Sequence, residues 1–138
     1  MENTTTMEKF KCIKTVFAEP MNEFKAVELG YARPNEDNHE WRQGYHVVYE
    51  DGYHSWSPAD VFHKGYLPYH TWLDRLKVEL TELDAKRVLL ESYLEDTKEA
   101  KSSYGRDLLA IQADIMRAYS SILSLRLSVS VYADDEVK

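Results

Sequence analysis

The strongest constraint on the fold is a helical pattern of apolar residues between Thr71 and Val129. In its first half, leucines recur at alternating steps of three and four residues, and Arg87 takes the one position where an apolar residue is missing. These leucines are Leu73, Leu76, Leu80, Leu83, Leu90 and Leu94. In the second half the same rhythm runs without a gap through Leu108, Ile111, Ile115, Ala118, Ile122, Leu125 and Val129. Such spacing places each set on one side of a helix and predicts two amphipathic helices.

The polar segment from Asp96 to Tyr104 joins the two predicted helices. A connection this short favours two antiparallel helices packed as a hairpin. The second helix carries a further apolar row beside the first, made of Leu109, Met116, Tyr119, Leu123 and Leu127. Because one partner helix covers one row, two rows call for another surface. We expect both the N-terminal region and a second copy of the chain to supply it.

Before this hairpin, the sequence predicts a small β-sheet module with short helices. Residues 10–17 are rich in β-branched and aromatic side chains and predict a first strand that Pro20 ends. Asn22 is predicted to cap a short helix over residues 23–29, with Gly30 as its C-terminal stop. Residues 31–42 lack any period and predict a surface loop.

Residues 45–56 predict a β-hairpin with a two-residue turn at Asp51-Gly52. That turn would pair Tyr49 with His54 and Val47 with Trp56, and would place His46 on the face opposite to His54. After the hairpin, Ser57 is predicted to cap a helical turn that has Pro58 as its first residue and ends near Gly65.

Together these patterns predict an α+β fold, in which a small antiparallel β-sheet module with short helices precedes a long antiparallel two-helix hairpin. We place a flexible tail at residues 1–8, the α+β module at 9–68, the helical hairpin at 69–130 and an acidic tail at 131–138.

Composition narrows the functional classes. A net charge of −7 opposes binding along a DNA or RNA duplex, since the phosphate backbone would be repelled. It still permits a small anion held by a few local arginines. The single cysteine, Cys12, fits a reducing compartment. The sequence shows neither a signal peptide nor an apolar run long enough for a membrane span, so a soluble intracellular protein is expected.

No catalytic motif is recognisable in the sequence. Cys12 lies in the predicted first strand without a histidine nearby in sequence, which argues against a nucleophile. The predicted hairpin register separates His46 from His54, which argues against a shared metal ion. We therefore predict no catalytic residue, no metal and no cofactor.

Three arginines of the predicted helices can be explained in two ways. Arg87 falls among the leucines of the first helix, where a charge costs stability unless it is paired in a register-setting ion pair or points at a bound anion. Arg117 and Arg126 lie beside the apolar rows of the second helix, where most arginines reach past an interface to water. The alternative is that, where two chains meet, they close on a phosphate in a bidentate grip. The surplus of aromatic rings would offer a base a stacking surface.

Two stretches resemble proteins of phages. Residues 44–58, running on to residues 61–62 and 65–66, are similar to a module frequent in small phage proteins. The C-terminal part resembles the helical hairpin shared by phage anti-CBASS and Thoeris anti-defence sponge proteins, through Leu90-Glu91-Ser92-Tyr93-Leu94 and through residues 112–119. The order of a small β-containing module and this hairpin is similar to that of Thoeris anti-defence sponges.

The resemblance implies a protein that is not an enzyme. Proteins of that kind form homo-oligomers, often hexamers, and sequester cyclic nucleotide immune signals such as cyclic ADP-ribose isomers or cyclic oligonucleotides. It also implies that Tyr93 stacks on a base and that Arg117 lies beside it. The candidate ligand-binding residues are Tyr93, Arg117, Arg87, Arg106, Tyr119 and Arg126.

Three functional hypotheses follow. The first is a phage-encoded sponge for a cyclic nucleotide signal, which acts without turnover in the cytoplasm of the infected bacterium. The second is an oligomerising protein–protein interaction module of a phage, and the third is an enzyme that acts on a nucleotide signal. The sequence does not identify which cyclic nucleotide a sponge would bind.

Overall fold

The computed structural model describes residues 6–132, and the side chains of residues 6–129. It divides the chain into two compact units, one ending at Tyr66 and the other beginning at Leu67. The predictions of a flexible tail over residues 1–5 and of an acidic tail over residues 133–138 lie outside the described residues. The α+β fold class is confirmed, because a three-stranded antiparallel sheet with short helices precedes a long helix pair.

The sheet of the first unit has the order β1-β2-β3, with β1 at Phe17–Pro20, β2 at Gly44–Val48 and β3 at His54–Pro58. The predicted strand over residues 10–17 is therefore wrong except at its last residue. The reason lies in the pairing, since Phe17 is opposite Val48, the last residue of β2. Beyond Val48 the chain turns, so residues 10–16 find no neighbouring strand in β2.

The predicted register of the β-hairpin is wrong by one residue. Val48 pairs with His54, and His46 pairs with Trp56. The loop has three residues rather than two, because the Tyr49 amide donates to the Tyr53 carbonyl at 2.9 Å. Gly52 closes the loop in the left-handed region at a φ of +88°, which is a common way to end a three-residue hairpin loop. His46 and His54 consequently lie on the same face of the sheet.

The first short helix, α1, spans Glu23–Glu28 and is capped as predicted by Asn22, whose side chain accepts from the Lys25 amide at 2.9 Å. The second, α2, spans Ala59–Gly65 and ends where it was predicted to end. Its predicted start is wrong by one residue, because Ser57 still pairs with Tyr45 in the sheet and its hydroxyl bonds the Pro58 carbonyl rather than a helix amide.

An ion pair between the buried Glu23 and the half-exposed Arg42 fixes the loop before β2 onto α1. Glu23, only 3% exposed, accepts from the Arg42 guanidinium at 2.9 Å, from the Arg42 amide at 3.2 Å and from His39 at 2.8 Å. Arg42 in turn lies over the Trp56 ring, 5.4 Å from its centroid. These contacts link α1, the loop and β3, so the small unit depends on this charge pair.

The second unit is the predicted helical hairpin. Helix α3 spans Trp72–Asp96 and α4 spans Tyr104–Tyr132. Thr71 and Asp74 form a capping box at the start of α3, with the Thr71 hydroxyl accepting from the Asp74 amide at 3.0 Å. The two side chains each accept a hydrogen bond from a backbone amide that has no partner within the first helical turn.

The side of α4 that packs against α3 is not the row with the most regular spacing. Leu123 and Ala113 are buried, at 0% and 2% exposure, and so is Leu76 of α3 at 3%. Leu123 belongs to the further apolar row, and the buried Ala113 and Ser120 lie on the same side of α4, whereas Tyr119 of that row is 43% exposed. We name the buried side the packed row. The gapless row is exposed instead. Its large members, Leu108, Ile111, Ile115, Ile122, Leu125 and Val129, are 43% to 64% exposed.

Replacing Glu23 by glutamine is expected to lower the free energy of unfolding of the first unit by about 1 to 2 kcal/mol, because charge-assisted hydrogen bonds are lost while the half-exposed Arg42 side chain stays solvated. Urea unfolding followed by tryptophan fluorescence in a Trp72→Phe background reports on Trp41 and Trp56 alone. Glu28→Gln, on the exposed side of the same helix, should leave the midpoint unchanged.

The difference in unfolding free energy between the wild type and Glu23→Gln should also depend on pH. The hydrogen bonds from Arg42, with a smaller contribution from His39, lower the pKa of Glu23 from 4.5 to about 2. A lowered pKa stabilises the folded state above pH 4.5, and this stability is lost as the pH falls towards 2. The difference in unfolding free energy between the wild type and Glu23→Gln should therefore become smaller as the pH falls from 4.5 to about 2. A gap of constant size would contradict this account.

Candidate ligand-binding surface of the helical hairpin

One flank of the hairpin carries four charged side chains that bond to one another, Asp84, Arg87, Glu91 and Arg117, which we name the arginine flank. Arg87 donates to Asp84 at 3.2 Å and to Glu91 at 3.0 Å along α3. Arg117 of α4 reaches across the hairpin to the other oxygen of Glu91, also at 3.0 Å. The two arginines therefore meet at one carboxylate.

Arg87 is the charge that the sequence placed among the leucines of α3. Its side chain is 24% exposed, and its carboxylate partners lie three residues before it and four after it. The hydrogen bonds that Arg87 donates to Asp84 and then to Glu91 raise the pKa of its guanidinium. Asp114 and Glu91 do the same for the pKa of Arg117. An ion pair at Arg87, one of the two alternatives above, is thus present.

A hydrogen bond between Ser120 of α4 and Asp84 of α3 fixes how the two helices face each other beside the arginine flank. Ser120, 8% exposed, donates its hydroxyl proton to Asp84 at 2.6 Å. This bond, followed by those from Arg87, lowers the pKa of Asp84. Since Ser120 lies in the packed row of α4, the contact sets the register of the two helices.

Arg106 has a different place from the other candidate residues. It donates to the Leu94 carbonyl at 2.9 Å and also bonds the Thr97 hydroxyl. Both acceptors belong to the C-terminal end of α3, where carbonyl groups lack partners within the helix. Arg106 therefore ties the start of α4 to the end of α3.

Tyr93, Tyr119 and Arg126 point away from the arginine flank. Tyr93 follows Glu91 by two positions and Tyr119 follows Arg117 by two, which is about 200° around a helix. Arg126 lies nine positions after Arg117, roughly half a turn away. Tyr93 and Tyr119 are 52% and 43% exposed. We name these three residues the tyrosine flank. Within one chain, the structure does not bring the aromatic rings to the paired arginines.

The exposed row of α4 forms a third surface, which we name the open apolar face: Leu108, Ile111, Ile115, Ile122, Leu125 and Val129. These positions lie on the side of α4 opposite to the packed row. A continuous set of exposed isoleucines and leucines is typical of an interaction surface. Of the two rows of α4, the gapless row is therefore the one that α3 leaves uncovered.

The residues that sequence reasoning missed are Glu91, Asp84 and Ser120. Asp84 lies three residues before Arg87, and Glu91 lies four residues after it. That spacing is the available signal for ion pairs along a helix. A serine between leucines in the packed row gave no sign of its partner on α3.

The first unit holds a histidine cluster that the predicted register had excluded. His46 Nε2 lies 2.7 Å from His54 Nδ1, and His46 Nδ1 donates to Glu19 at 2.9 Å. Tyr31 stacks on His46, with ring centroids 4.2 Å apart. The argument that these histidines face apart is thus wrong. Among the described residues, however, no group of three or more His, Cys, Asp or Glu side chains is placed to hold a metal ion.

These three surfaces all belong to the antiparallel pair of α3 and α4. Residues 70–129 match the model of the Sequestin family. Over these residues the hairpin is similar to the Sequestin family, the family of phage anti-defence cyclic nucleotide sponge proteins, which agrees with the resemblance noted from the sequence. No curated protein and no solved structure matches the chain.

The family supports a binding, non-catalytic role in which a small signalling molecule is sequestered. None of the helices within residues 6–132 is both long enough and apolar enough to cross a membrane.

Ser120→Ala is expected to lower the free energy of unfolding of the hairpin by about 1 to 2 kcal/mol, because Asp84 loses a charge-assisted hydrogen bond in a half-buried setting. Urea unfolding followed by circular dichroism at the helix band measures it. Ser124→Ala, an exposed serine one turn along, is the control. Equal midpoints for the two variants would show that the Ser120–Asp84 contact does not stabilise the hairpin.

Proposed function

We propose that this chain is a phage-encoded anti-defence sponge, which binds a cyclic nucleotide immune signal and so blocks Thoeris or CBASS signalling in the cytoplasm of the infected bacterium. The signal is of the cyclic ADP-ribose type or a cyclic oligonucleotide. The observation that carries this proposal is the Sequestin match over the hairpin. The convergence of Arg87 and Arg117 from two helices supports it, since paired guanidinium groups suit a phosphate.

The ligand site in this proposal is shared between copies of the chain. A cyclic nucleotide offers phosphates to arginines and bases to aromatic rings. One hairpin carries Arg117 and Tyr93 on different flanks, so a site that uses both needs two chains. Tyr119 and Arg126 would join Tyr93 at the base, and Arg106 would keep the ends of α3 and α4 in place.

The open apolar face is the surface through which we propose that the copies assemble, as a hexamer. Fully burying an isoleucine or leucine side chain contributes roughly 1.5 to 3 kcal/mol. Six such residues in one row, each at least 43% exposed, therefore represent a large unused driving force. Association through this row would cover it and enclose the flanks beside it.

Ile115→Asp and Ile122→Asp are expected to weaken self-association by more than about tenfold each, since each places a charge in the contact. The helix content should not change, because both side chains point away from α3. Sedimentation velocity over a concentration series measures the assembly. Ser128→Asp adds the same charge at an exposed position outside the row and should leave the assembly intact. A monomeric wild-type protein at micromolar concentration would refute the proposed assembly.

Arg117→Ala is expected to lower the affinity for the bound cyclic nucleotide by about tenfold or more, because a bidentate charge-assisted contact is lost. Native mass spectrometry with cyclic ADP-ribose isomers and cyclic dinucleotides reports copy number and ligand stoichiometry together. Lys98→Ala removes an equal charge at the inter-helix loop and should bind as the wild type does.

The fate of the ligand separates the three hypotheses. A sponge releases the nucleotide chemically intact after heat denaturation, whereas an enzyme returns a product. Failure to bind any cyclic nucleotide, with the assembly preserved, would favour the alternative of an oligomerising protein–protein interaction module.

A further inference from the structure

Glu91 occupies the place between the two arginines that an anionic group of a ligand would need. Its two carboxylate oxygens accept one hydrogen bond each, from Arg87 and from Arg117, both at 3.0 Å. Two guanidinium groups gripping two oxygens of one anion is also the way arginines hold a phosphate. The protein thus supplies its own anion at this position.

The remaining polar contacts of the two arginines are also to carboxylates. Arg87 donates its Nε proton to Asp84 at 3.2 Å, and Arg117 donates to Asp114 at 3.0 Å. Asp84 is held further by Ser120, and Asp114 lies on the same helix as Arg117. Glu91 differs from both, because it is the single carboxylate in this group that bonds arginines of both helices.

We propose that Glu91 is a built-in competitor of the ligand, which leaves the arginines when a phosphate group of a nucleotide binds between them. This inference rests on the proposed function and names the exchange that ligand binding requires. Glu91 is 29% exposed at the hairpin surface, so its side chain can rotate into water without disturbing the packing of α3 against α4. Its carboxylate then regains in water the hydrogen bonds that it gives up.

Such an exchange lowers the affinity for every anion by the same factor. A lone phosphate ion has no further contacts to offset this loss, whereas a nucleotide adds contacts of its base and sugar. Because the ion pairs are half exposed, each one is weak enough to be replaced. The ligand class that this arrangement favours is therefore a phosphate flanked by a ring system, and free inorganic anions are disfavoured.

The test compares Glu91→Gln with Glu95→Gln by isothermal titration calorimetry, using cyclic ADP-ribose and sodium pyrophosphate as probes. Both variants remove one negative charge from α3, but Glu95 pairs only with Lys98 among the described residues. Glu91→Gln is expected to bind each probe about tenfold more tightly than the wild type. The gain should be similar for the two probes, because both displace the same carboxylate. Glu95→Gln should stay within about twofold, which measures the general effect of charge.

Unchanged or weaker binding by Glu91→Gln would overturn the inference, since Glu91 would then position the arginines rather than compete for them. That result leaves the proposed function standing if the wild type binds cyclic ADP-ribose. The opposite result also distinguishes the competitor role of Glu91 from the proposed sponge function. Tight binding of pyrophosphate by Glu91→Gln, with no binding of cyclic ADP-ribose or of cyclic dinucleotides by any variant, would support the competitor role and refute the sponge. No binding of either probe by either variant would refute the competitor role, and the same result with cyclic dinucleotides would refute the sponge as well.

Discussion

Helix α4 has apolar side chains on two opposite sides, and the rest of the hairpin depends on how these are covered. Packing against α3 buries Ala113 and Leu123 and leaves the isoleucines of the other row exposed. One antiparallel partner cannot cover both sides of a helix, whatever the register. The same geometry that holds α3 to α4 therefore creates the open apolar face. Intrachain stability and the capacity for assembly follow from one helix.

The choice between the two rows of α4 depends on size and charge. The packed row contains the small residues Ala113 and Ser120, which leave room for the bulky leucines of α3. It also places Ser120 opposite Asp84 and Arg117 opposite Glu91. Turning α4 by half a turn would put isoleucines against those leucines and leave these acids without their partners. The more regular row is left outside because it is bulkier, although it is the more hydrophobic of the two.

The two long helices and the cap of α1 could be predicted because local spacing determines them. Apolar periodicity fixed α3 and α4, and Asn22 fixed the start of α1. The packed row of α4 could not be predicted, because hydrophobic spacing alone does not weigh the volume of Ala113 against that of Ile115. The register of the β-hairpin depended on a single hydrogen bond between Tyr49 and Tyr53, which turned a two-residue loop into three. The first strand required a partner that β2 was too short to provide.

For the candidate site, sequence reasoning found the arginines and rings but not their partners. An arginine in a leucine row is conspicuous, whereas a glutamate on a helix surface is ordinary. Which acid bonds two arginines depends on how the helices face each other, and so Glu91 became visible only in the packed hairpin. The division of Tyr93 and Arg117 between two flanks has the same origin, because it depends on which side of each helix is turned towards the other.

An acidic chain can bind an anion selectively because of where its acids lie. The net charge of −7 repels phosphate-bearing molecules at long range, although salt screens this within about 10 Å. At short range Arg87 and Arg117 are already brought together and oriented by Glu91, so the ordering of two long side chains is complete before a ligand arrives. A ligand that replaces Glu91 finds the two arginines already arranged and has to displace only one carboxylate. In this arrangement the acid that weakens anion binding is also the acid that organises the arginines, and the Glu91→Gln variant measures which of the two effects is larger.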